Sequence, residues 1–562
     1  MVHTNKYMRP STQNLSVSLK FSEWIDRAVL LLVFAFVSLI WGVSWTRVES
    51  IEKLLNSPLL MVVWIEIFIG LLLFWVRTRI RQGYFNTFSD FFVRYQQWII
   101  VLFFLSYLII MTSVSILRHL AFQTHAFDLA IFDQAVWSTL KGKILFSSFK
   151  GNICLLGDHM SPILILLAPF YWFWNDARIL LLIQACVASL CFFPLSLITQ
   201  EKLGKGIFPV LFAFALYFYQ PFRHSVRAEF HPELIANSIL FFAFYFLIKK
   251  NWTAFFISLI LSVLCKENMY GITFMLGIYL CLEKRFRAGL AVVVMSLFAF
   301  LLTTKVLIPH LSGSHYFYGA NYQYLISGSW GSHAPLIVQP ASLFEYIYKI
   351  FLPLAFLSFF HAQTLILTFP ILFQNILSRN PTMHSMAFQY TSGLTPFVFI
   401  SAVFGTWELL MWGGKSGNEK WLRPIIIISI LVFSLILAGK PERRYFYNFK
   451  RGIDSHTNLI RETIKKIPEY LSVVTNENLA PHLSHRFQIG QFEDYQRALY
   501  GTTYAFINVD LVILDRRFTQ GDFDKEIGKV KASGYQIISE REDLIILKRR
   551  SEPETLVSQQ GG

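Results

Sequence analysis

Long apolar segments, separated by short charged turns, recur up to about residue 440 of the 562-residue chain. Only 15% of the residues are charged and 54% are hydrophobic, whereas soluble proteins contain about 25% charged residues. A helix needs about 20 apolar residues to cross a bilayer, and the apolar segments predict about 13 such helices. The sequence therefore predicts an all-α polytopic membrane protein. It excludes a soluble enzyme, a disordered chain, a fibrous repeat and a small disulfide scaffold.

The positive charges are distributed as in a membrane protein. The chain has 50 Lys and Arg against 35 Asp and Glu, but these basic residues lie between apolar segments rather than on one face with base-stacking aromatics. Such charges set membrane topology and contact anionic lipid headgroups, so we expect membrane lipid, and no nucleic acid, as a partner. The five cysteines lack the spacing of a disulfide framework or a zinc site and are expected to be free thiols.

The basic residues also predict the orientation of the chain. They flank the first two predicted helices, 25–45 and 58–76, on the side that becomes cytoplasmic. The third helix, 98–117, then leads outward to an extracytoplasmic loop. The apolar segment 162–174 is short for a membrane span and is predicted to be interfacial or re-entrant. Alternation of the later helices places the N-terminus inside and the C-terminus outside.

Four regions follow from these patterns. They are a two-helix extension (1–97), a transmembrane core (98–439) with its first extracytoplasmic loop at 118–160, a small soluble extracytoplasmic α/β domain (440–550) and a disordered tail (551–562). Within the α/β domain, short β-branched runs predict strands at 471–475, 511–514, 535–539 and 544–547, and a short helix at 523–532.

Ionisable side chains gather in the predicted outer turns. Such residues are costly near the membrane and are therefore functional candidates. These candidates are Asp128, Asp133, Asp158, His159, Arg227, His231, Glu233, Lys266, Glu267 and His384, with Tyr390 close by in the sequence.

Each group also has an ordinary structural interpretation. Asp128 could cap a helix over 129–140, and it lies about 140° from Asp133 around a regular helix. Asp158 and the following histidine could mark a helix start. Glu233 is favourable in a first helical turn, and Lys266 could form an ion pair with the next residue at a helix end.

A divalent metal is possible but is not required by the sequence. Asp158, His159 and His231 are suitable ligand types, although no compact ligand spacing is present. No cofactor is certain. The sequence has no Walker loop, GxSxG elbow, HExxH or GxGxxG motif in its proper context, so ATP coupling within this chain is not expected.

The polar blocks resemble a known family. The opening block FDLAIFDQAVW (127–137) is similar to the signature of the Domain of Unknown Function 2079 family, predicted membrane proteins of bacteria and archaea. Further blocks follow in the same order: GDHMSPIL (157–164), FHPE (230–233), CKEN (265–268), His384 with Gln389, Tyr390 and Pro396, and APHLSHR (480–486). The resemblance covers about residues 100–550, which leaves the first two helices as an extension.

That family is similar to the GT-C class of membrane glycosyltransferases. The resemblance implies a sugar transfer from a polyprenyl-phosphate donor to an extracytoplasmic glycan, lipid or protein, in the bacterial cytoplasmic membrane. It implies Asp128 as catalytic residue, with Asp133 or Asp158 as second carboxylate. The substrate- or phosphate-binding residues would be His159, Arg227, His231, Glu233, Lys266, Glu267, His384 and Tyr390.

Two other classes of function are compatible with the sequence. A transporter or lipid flippase would use the same polar residues as a path, although transporters place them near the midplane on broken helices. A noncatalytic scaffold would bind a partner through the 440–550 domain, and deletion of 440–562 would abolish its function.

Overall fold

The computed structural model describes residues 84–328, 335–440, 442–492, 509–519 and 521–550. The predicted helices at 25–45 and 58–76 and the predicted tail at 551–562 lie outside these residues. The chain divides into two compact units, Met1–Gln96 and Gln97–Gly562. The described part of the first unit is the beginning of the helix Tyr84–Leu120; all features below belong to the second.

The described chain is mostly helical. Four apolar helical stretches are long enough to cross a membrane: Asp90–Leu120, Arg178–Leu203, Phe286–Ser312 and Leu394–Lys415. Shorter apolar helices accompany them. The α-helices of eight residues or more are Tyr84–Leu120, Ile131–Leu140, Arg178–Leu190, Phe192–Leu203, Ile207–Phe218, Gln220–Arg227, Pro232–Ile248, Trp252–Val263, Met269–Leu282, Phe286–Leu302, Pro340–Phe351, Phe369–Leu377, Leu394–Lys415, Glu419–Ile436, Glu442–Arg451, Ser455–Ile464 and Phe523–Ala532.

The predicted third span, 98–117, lies within the helix Tyr84–Leu120. The segment predicted to be interfacial or re-entrant forms an eleven-residue 3₁₀-helix, Pro162–Trp172. Local signals set several helix ends: Asp176 accepts a hydrogen bond from the backbone N–H of Arg178 (2.9 Å) at a helix start, and Pro232 occupies the first turn of another.

Two glycines allow one helical hairpin to pack closely. A Cβ at Gly277 would lie 2.8 Å from the carbonyl oxygen of Gly289, and one at Gly289 would lie 2.6 Å from that of Gly277. The helices Met269–Leu282 and Phe286–Leu302 therefore approach each other at a distance that only glycine permits. Small residues serve the same purpose at many membrane helix interfaces.

Seven strands form two sheets in the described chain. β1 (Phe146–Ser147) and β2 (Ile153–Cys154) make a small antiparallel pair within the predicted loop 118–160. β3 (Val473–Thr475), β4 (Ile489–Gln491), β5 (Leu511–Asp515), β6 (Tyr535–Arg541) and β7 (Leu544–Arg549) form a mixed sheet in the order β4-β3-β5-β7-β6. β3 is parallel to β4 and β5, whereas β7 is antiparallel to β5 and β6. The four strands and the helix predicted here are present, and β4 is an additional strand.

The mixed sheet buries both of its faces. On β5, Val512 and Leu514 pack in one cluster with Phe523 and Ile527 of the helix Phe523–Ala532. The alternate residues Leu511 and Ile513 belong to the large core that includes the apolar helices. Alternation of side chains along a strand explains this division.

The segment around β3 and β4 contacts the end of the first described helix and the residues that follow it. The His482 ring stacks on His119 (3.9 Å between centroids) and on Phe122 (4.0 Å). Ser148 Oγ donates a hydrogen bond to the carbonyl oxygen of Ile489 and accepts one from the backbone N–H of Ile489. The sheet is therefore fixed to the segment 119–148.

We expect Gly289→Ala to destabilise the protein by about 1–3 kcal/mol, because the added methyl group overpacks the helix contact. Thermal unfolding of the purified protein measures this effect. Gly414→Ala is the matched control, since the nearest atom to its added Cβ, Glu419 Oε2, lies 3.6 Å away. Equal unfolding temperatures for the two variants would contradict the close packing.

Candidate active site

One cavity of about 1910 Å³ brings together polar residues from separate parts of the chain. Its walls come from the segments around residues 128, 158, 231, 266, 316 and 390. Of the residues predicted from the sequence, it is lined by Asp128, Asp158, His159, His231, Glu233, Lys266, Glu267 and Tyr390. Residues spread over more than 250 positions therefore meet at one site.

Asp128 is the most accessible carboxylate among these residues. It lies in the π-helical turn Ala126–Ala130, which precedes the helix Ile131–Leu140. Neither helix start has a side-chain cap, so the alternative interpretation of Asp128 as an N-cap is wrong. Its side chain is 38% exposed, whereas that of Asp158 is 11% exposed.

His231 forms an ion pair with Asp128. Its Nε2 lies 3.2 Å from Asp128 Oδ1, and its Nδ1 lies 3.0 Å from the carbonyl oxygen of Glu229. A carbonyl can only accept, so Nδ1 is the donor. Burial lowers the pKa of His231, but the Asp128 charge and hydrogen bond outweigh burial and raise it above its ordinary value. Burial conversely raises the pKa of Asp128, while His231, Arg118 and His125 bring it below the ordinary value.

A second pair of contacts surrounds Asp158 and His159. Lys150 Nζ lies 2.9 Å from Asp158 Oδ2, and the Tyr318 hydroxyl donates to Asp158 Oδ1 at 3.2 Å. His159 Nδ1 lies 2.7 Å from Glu267 Oε1. Burial raises the pKa of Glu267, but the His159 charge and hydrogen bond outweigh it and lower the pKa to about 2. These carboxylates are therefore held in their charged forms at neutral pH.

Gly157 lets the loop with Asp158 pack against another wall of the cavity. A Cβ at this position would lie 2.8 Å from the backbone nitrogen of Ser312 and 2.9 Å from the carbonyl carbon of Leu311. The glycine in the GDH block therefore permits a close backbone approach. That approach brings Asp158 to the segment with Tyr318.

Lys266 pairs with Glu233 rather than with its sequence neighbour Glu267. Its Nζ lies 2.9 Å from Glu233 Oε1. Burial lowers the pKa of Lys266, but the charges of the two glutamates more than offset this and raise it. The ammonium group therefore neutralises a glutamate from a separate helix of the cavity wall.

Glu229 and Gln184 position the Asp128–His231 pair. Glu229 Oε2 accepts from the backbone N–H of His125 (2.8 Å) and of Leu129 (3.2 Å), on either side of Asp128. Gln184 accepts from the backbone N–H of His231 (2.8 Å). The sequence analysis did not assign either role. Glu229 lies two residues before His231 in the same predicted outer turn, and this position was the available signal.

Asp133 does not line the cavity. It is fully buried and accepts hydrogen bonds from the Tyr171 hydroxyl (2.5 Å) and from Ser484 Oγ. His485 Nε2 lies 3.1 Å from its Oδ2. Asp133, predicted to be a catalytic carboxylate, points to a different side of its helix from the cavity. It therefore links this helix to the segment between β3 and β4.

Arg227 and His384 also lie outside the cavity lining. Arg227 pairs with Glu442 (3.1 Å) and stacks on the Tyr445 ring (3.5 Å). His384 Nε2 lies 2.8 Å from the carbonyl oxygen of Ser378. Both side chains therefore contact other segments of the chain and do not reach into this cavity.

The possible metal site at Asp158, His159 and His231 does not fit the geometry. Among the described residues, no group of three or more His, Cys, Asp or Glu side chains could hold a metal ion. The three side chains instead pair separately with Lys150, Glu267 and Asp128.

Several cavity residues escaped the sequence analysis. Tyr316 donates to Glu267 Oε1 at 2.8 Å, and Lys305 and Arg379 line the cavity. Lys305 lies in the π-helical turn Thr303–Leu307 of a candidate span and makes no ion pair within the described chain. A lone lysine in an apolar segment is itself a functional signal and could have been noticed.

Two crystal structures have a similar fold. ArnT from Cupriavidus metallidurans bound to undecaprenyl phosphate matches with a TM-score of 0.54 and 10% identity, covering 80% of this chain and 97% of that chain. The same protein in the apo state matches with a TM-score of 0.52 and 10% identity, covering 80% and 98%. The likeness shows that the chain has an ArnT-like, GT-C-like fold. No curated protein sequence matches the chain significantly.

The family model for predicted membrane proteins named DUF2079 matches residues 118–546. The chain belongs to this family. The resemblance found in the sequence blocks is therefore confirmed, as is the relation of the fold to the GT-C class.

Asp133→Asn should lower the stability of the protein by about 1–3 kcal/mol, because it leaves buried donors without a carboxylate partner. The measurement is thermal unfolding of the purified chain. Asp524→Asn, at a side chain that is 76% exposed, should unfold at the wild-type temperature. An unchanged unfolding temperature for Asp133→Asn would show that this network is not structural.

Proposed function

We propose that the chain is a membrane glycosyltransferase that moves a sugar from a polyprenyl-phosphate donor to a hydroxyl acceptor. The observation that carries the proposal is the convergence of Asp128, Asp158, His231 and Lys266 on one cavity. The ArnT structure with undecaprenyl phosphate supports this choice of donor. The acceptor, a glycan, lipid or protein, is left open.

Asp128 acts as the general base. Its low pKa keeps the carboxylate charged at neutral pH, and its exposure leaves room for an acceptor hydroxyl. The hydroxyl oxygen attacks the anomeric carbon, its proton passes to the carboxylate, and the bond from that carbon to the phosphate oxygen breaks. General-base catalysis of this kind contributes about 10²–10⁴-fold to a rate.

The leaving phosphate is bound by cations of the cavity. Lys150 and Lys266 are tied to carboxylates, whereas Lys305 makes no ion pair within the described residues and is exposed at the cavity wall. Lys305 therefore offers its charge to the phosphate, with His231 and Lys266 adding to the positive potential. Hydrogen bonds between charged partners are the strong ones in such sites.

The lipid chain lies along the helices Met269–Leu282 and Phe286–Leu302. Phe274, Leu297 and Phe300 on these helices contribute apolar side chains to the cavity lining. An apolar surface next to a polar cavity suits a lipid with a phosphate headgroup.

The cavity faces the extracytoplasmic side. The helix Pro232–Ile248 begins beside His231 and ends at Lys249, and the helix Met269–Leu282 begins beside Asn268 and ends just before Lys284. Basic helix ends mark the cytoplasmic side, so the opposite ends at the cavity lie outside. The mixed sheet, bound to the segment 119–148, lies outside with them.

The position of the polar residues at helix ends favours catalysis over transport. The paired residues of the cavity lie in first helical turns or between helices, as with Asp128, His231 and Lys266. A translocation path is typically built from polar residues near the membrane midplane.

Asp128→Asn should reduce sugar transfer by about 10²–10⁴-fold, because the amide cannot take the acceptor proton. The assay follows release of undecaprenyl phosphate from undecaprenyl-phosphate-linked sugars by the purified chain with a lysate-derived acceptor fraction. Asp524→Asn is the matched control and should retain full activity. Transfer at the wild-type rate by folded Asp128→Asn would exclude Asp128 as the base.

The transfer rate should fall as the pH rises through the pKa of His231, which lies above its ordinary value of 6.5. Deprotonation removes the positive charge beside Asp128, and the charged pair is therefore present only below this pKa. Transfer rates measured from about pH 5 to pH 9 would show this fall, which is the alkaline limb of the pH–rate profile. His231→Gln should lower the rate at neutral pH and remove the limb.

His456→Gln is the control for this experiment. His456 is also buried with a raised pKa, but it lies between Asp515 and Glu542 in the C-terminal region. This variant should keep the wild-type pH profile. The same alkaline limb in His231→Gln as in the wild type would contradict the assignment.

A further inference from the structure

Besides His231 Nε2, which lies 3.2 Å from Asp128 Oδ1, three polar atoms of cavity-lining residues have no hydrogen-bond partner in the described chain. They are Glu233 Oε2, Asn268 Oδ1 and Ser392 Oγ. Glu233 is 3% exposed and Ser392 is 2% exposed. Buried polar groups in native proteins nearly always have a partner, so each of these atoms is a place where a ligand could bind.

The three residues lie on one part of the cavity wall. Lys266 Nζ contacts Glu233 Oε1 (2.9 Å), which brings the turn with Asn268 to Glu233. Asn237, one helical turn after Glu233, accepts through Oδ1 from the backbone N–H of Gly393 at 2.7 Å. Gly393 follows Ser392 directly, and a Cβ on it would lie 3.2 Å from Met269 Cε. These contacts define the Glu233 wall: Glu233, Asn268 and Ser392.

The chemistry of the Glu233 wall selects a ligand that donates hydrogen bonds. A carboxylate oxygen can only accept, and Lys266 already neutralises the charge of Glu233 through the other oxygen. A phosphate brings negative charge and no donor at neutral pH, so it does not suit Glu233 Oε2. An ammonium group would add a second positive charge beside Lys266. Uncharged hydroxyl groups match the free acceptor and the serine hydroxyl.

We infer that the Glu233 wall binds hydroxyl groups of an uncharged glycosyl unit. This inference rests on the proposed function and deepens it. The resemblance implied a substrate- or phosphate-binding role for Glu233, and this inference assigns it to the sugar. Sites with buried polar groups discriminate strongly against ligands that leave those groups unpaired. The wall would therefore determine which sugar is accepted.

Equilibrium binding to the full chain in lipid nanodiscs tests this assignment with two kinds of probe. One is undecaprenyl phosphate, and the other is undecaprenyl phosphate carrying glucose, galactose or mannose. The wild type should bind at least one of the three glycosylated lipids about tenfold or more tightly than the bare lipid, since the hydroxyl groups satisfy buried acceptors.

Ser392→Ala should reduce this preference to a few-fold at most without weakening binding of the bare lipid. Glu233→Gln, which also breaks the pair with Lys266, should reduce the preference by at least as much. Ser401→Ala is the matched control. Ser401 Oγ is also buried without a partner, but it lies in the helix Leu394–Lys415 away from the cavity lining. Its substitution should leave both affinities unchanged.

Three results would overturn the inference. Equal binding of bare and glycosylated lipids by the wild type would exclude a sugar site at this wall, and continued sugar transfer would leave the proposed function intact. Equal weakening of both lipids in Ser392→Ala would place this wall on the phosphate. Binding of neither lipid by the wild type would overturn the proposed donor together with the inference.

Discussion

The cavity depends on the pairing of buried carboxylates with cations from other segments of the chain. Removing one partner of a buried ion pair costs about 3–5 kcal/mol, because an uncompensated charge is left in a poorly solvated place. Three such buried pairs surround the cavity, namely Asp158 with Lys150, Glu233 with Lys266 and Glu267 with His159, and a fourth pair joins the more exposed Asp128 to His231. Three of the four pairs join residues more than 30 positions apart. The same contacts therefore assemble the site and fix the charge of its carboxylates.

The region that carries Asp128 is held from two directions. Glu229 accepts from backbone N–H groups on both sides of Asp128. On the other side, Asp133 accepts from Ser484 and pairs with His485, in the segment between two strands of the mixed sheet. The sheet also shares its core with the apolar helices. Residues far along the chain thus help to orient the exposed carboxylate, which gives the C-terminal region a physical connection to the site.

The sequence predicted the membrane class and the family, and eight of its eleven candidate site residues line the cavity, because ionisable groups are costly near lipid and stand out in apolar surroundings. It failed where a partner lies far away in sequence. Arg227 has the residue type of a phosphate ligand, but Glu442 takes up its charge. Asp133 lies about 140° from Asp128 around a helix, and this angle already placed it on another face. Lys305, a lone lysine within an otherwise apolar span, carried a signal in the sequence that was missed.

The position of a bound headgroup tests the central claim most directly. A cryo-electron microscopy structure of the chain in nanodiscs with undecaprenyl phosphate would show where the phosphate binds. The account predicts phosphate density inside the cavity between Lys305 and Lys266, within a few ångströms of His231 and with its lipid chain along Met269–Leu282. Headgroup density elsewhere on the protein, or an experimental structure in which Asp128 and Lys266 face separate cavities, would contradict it.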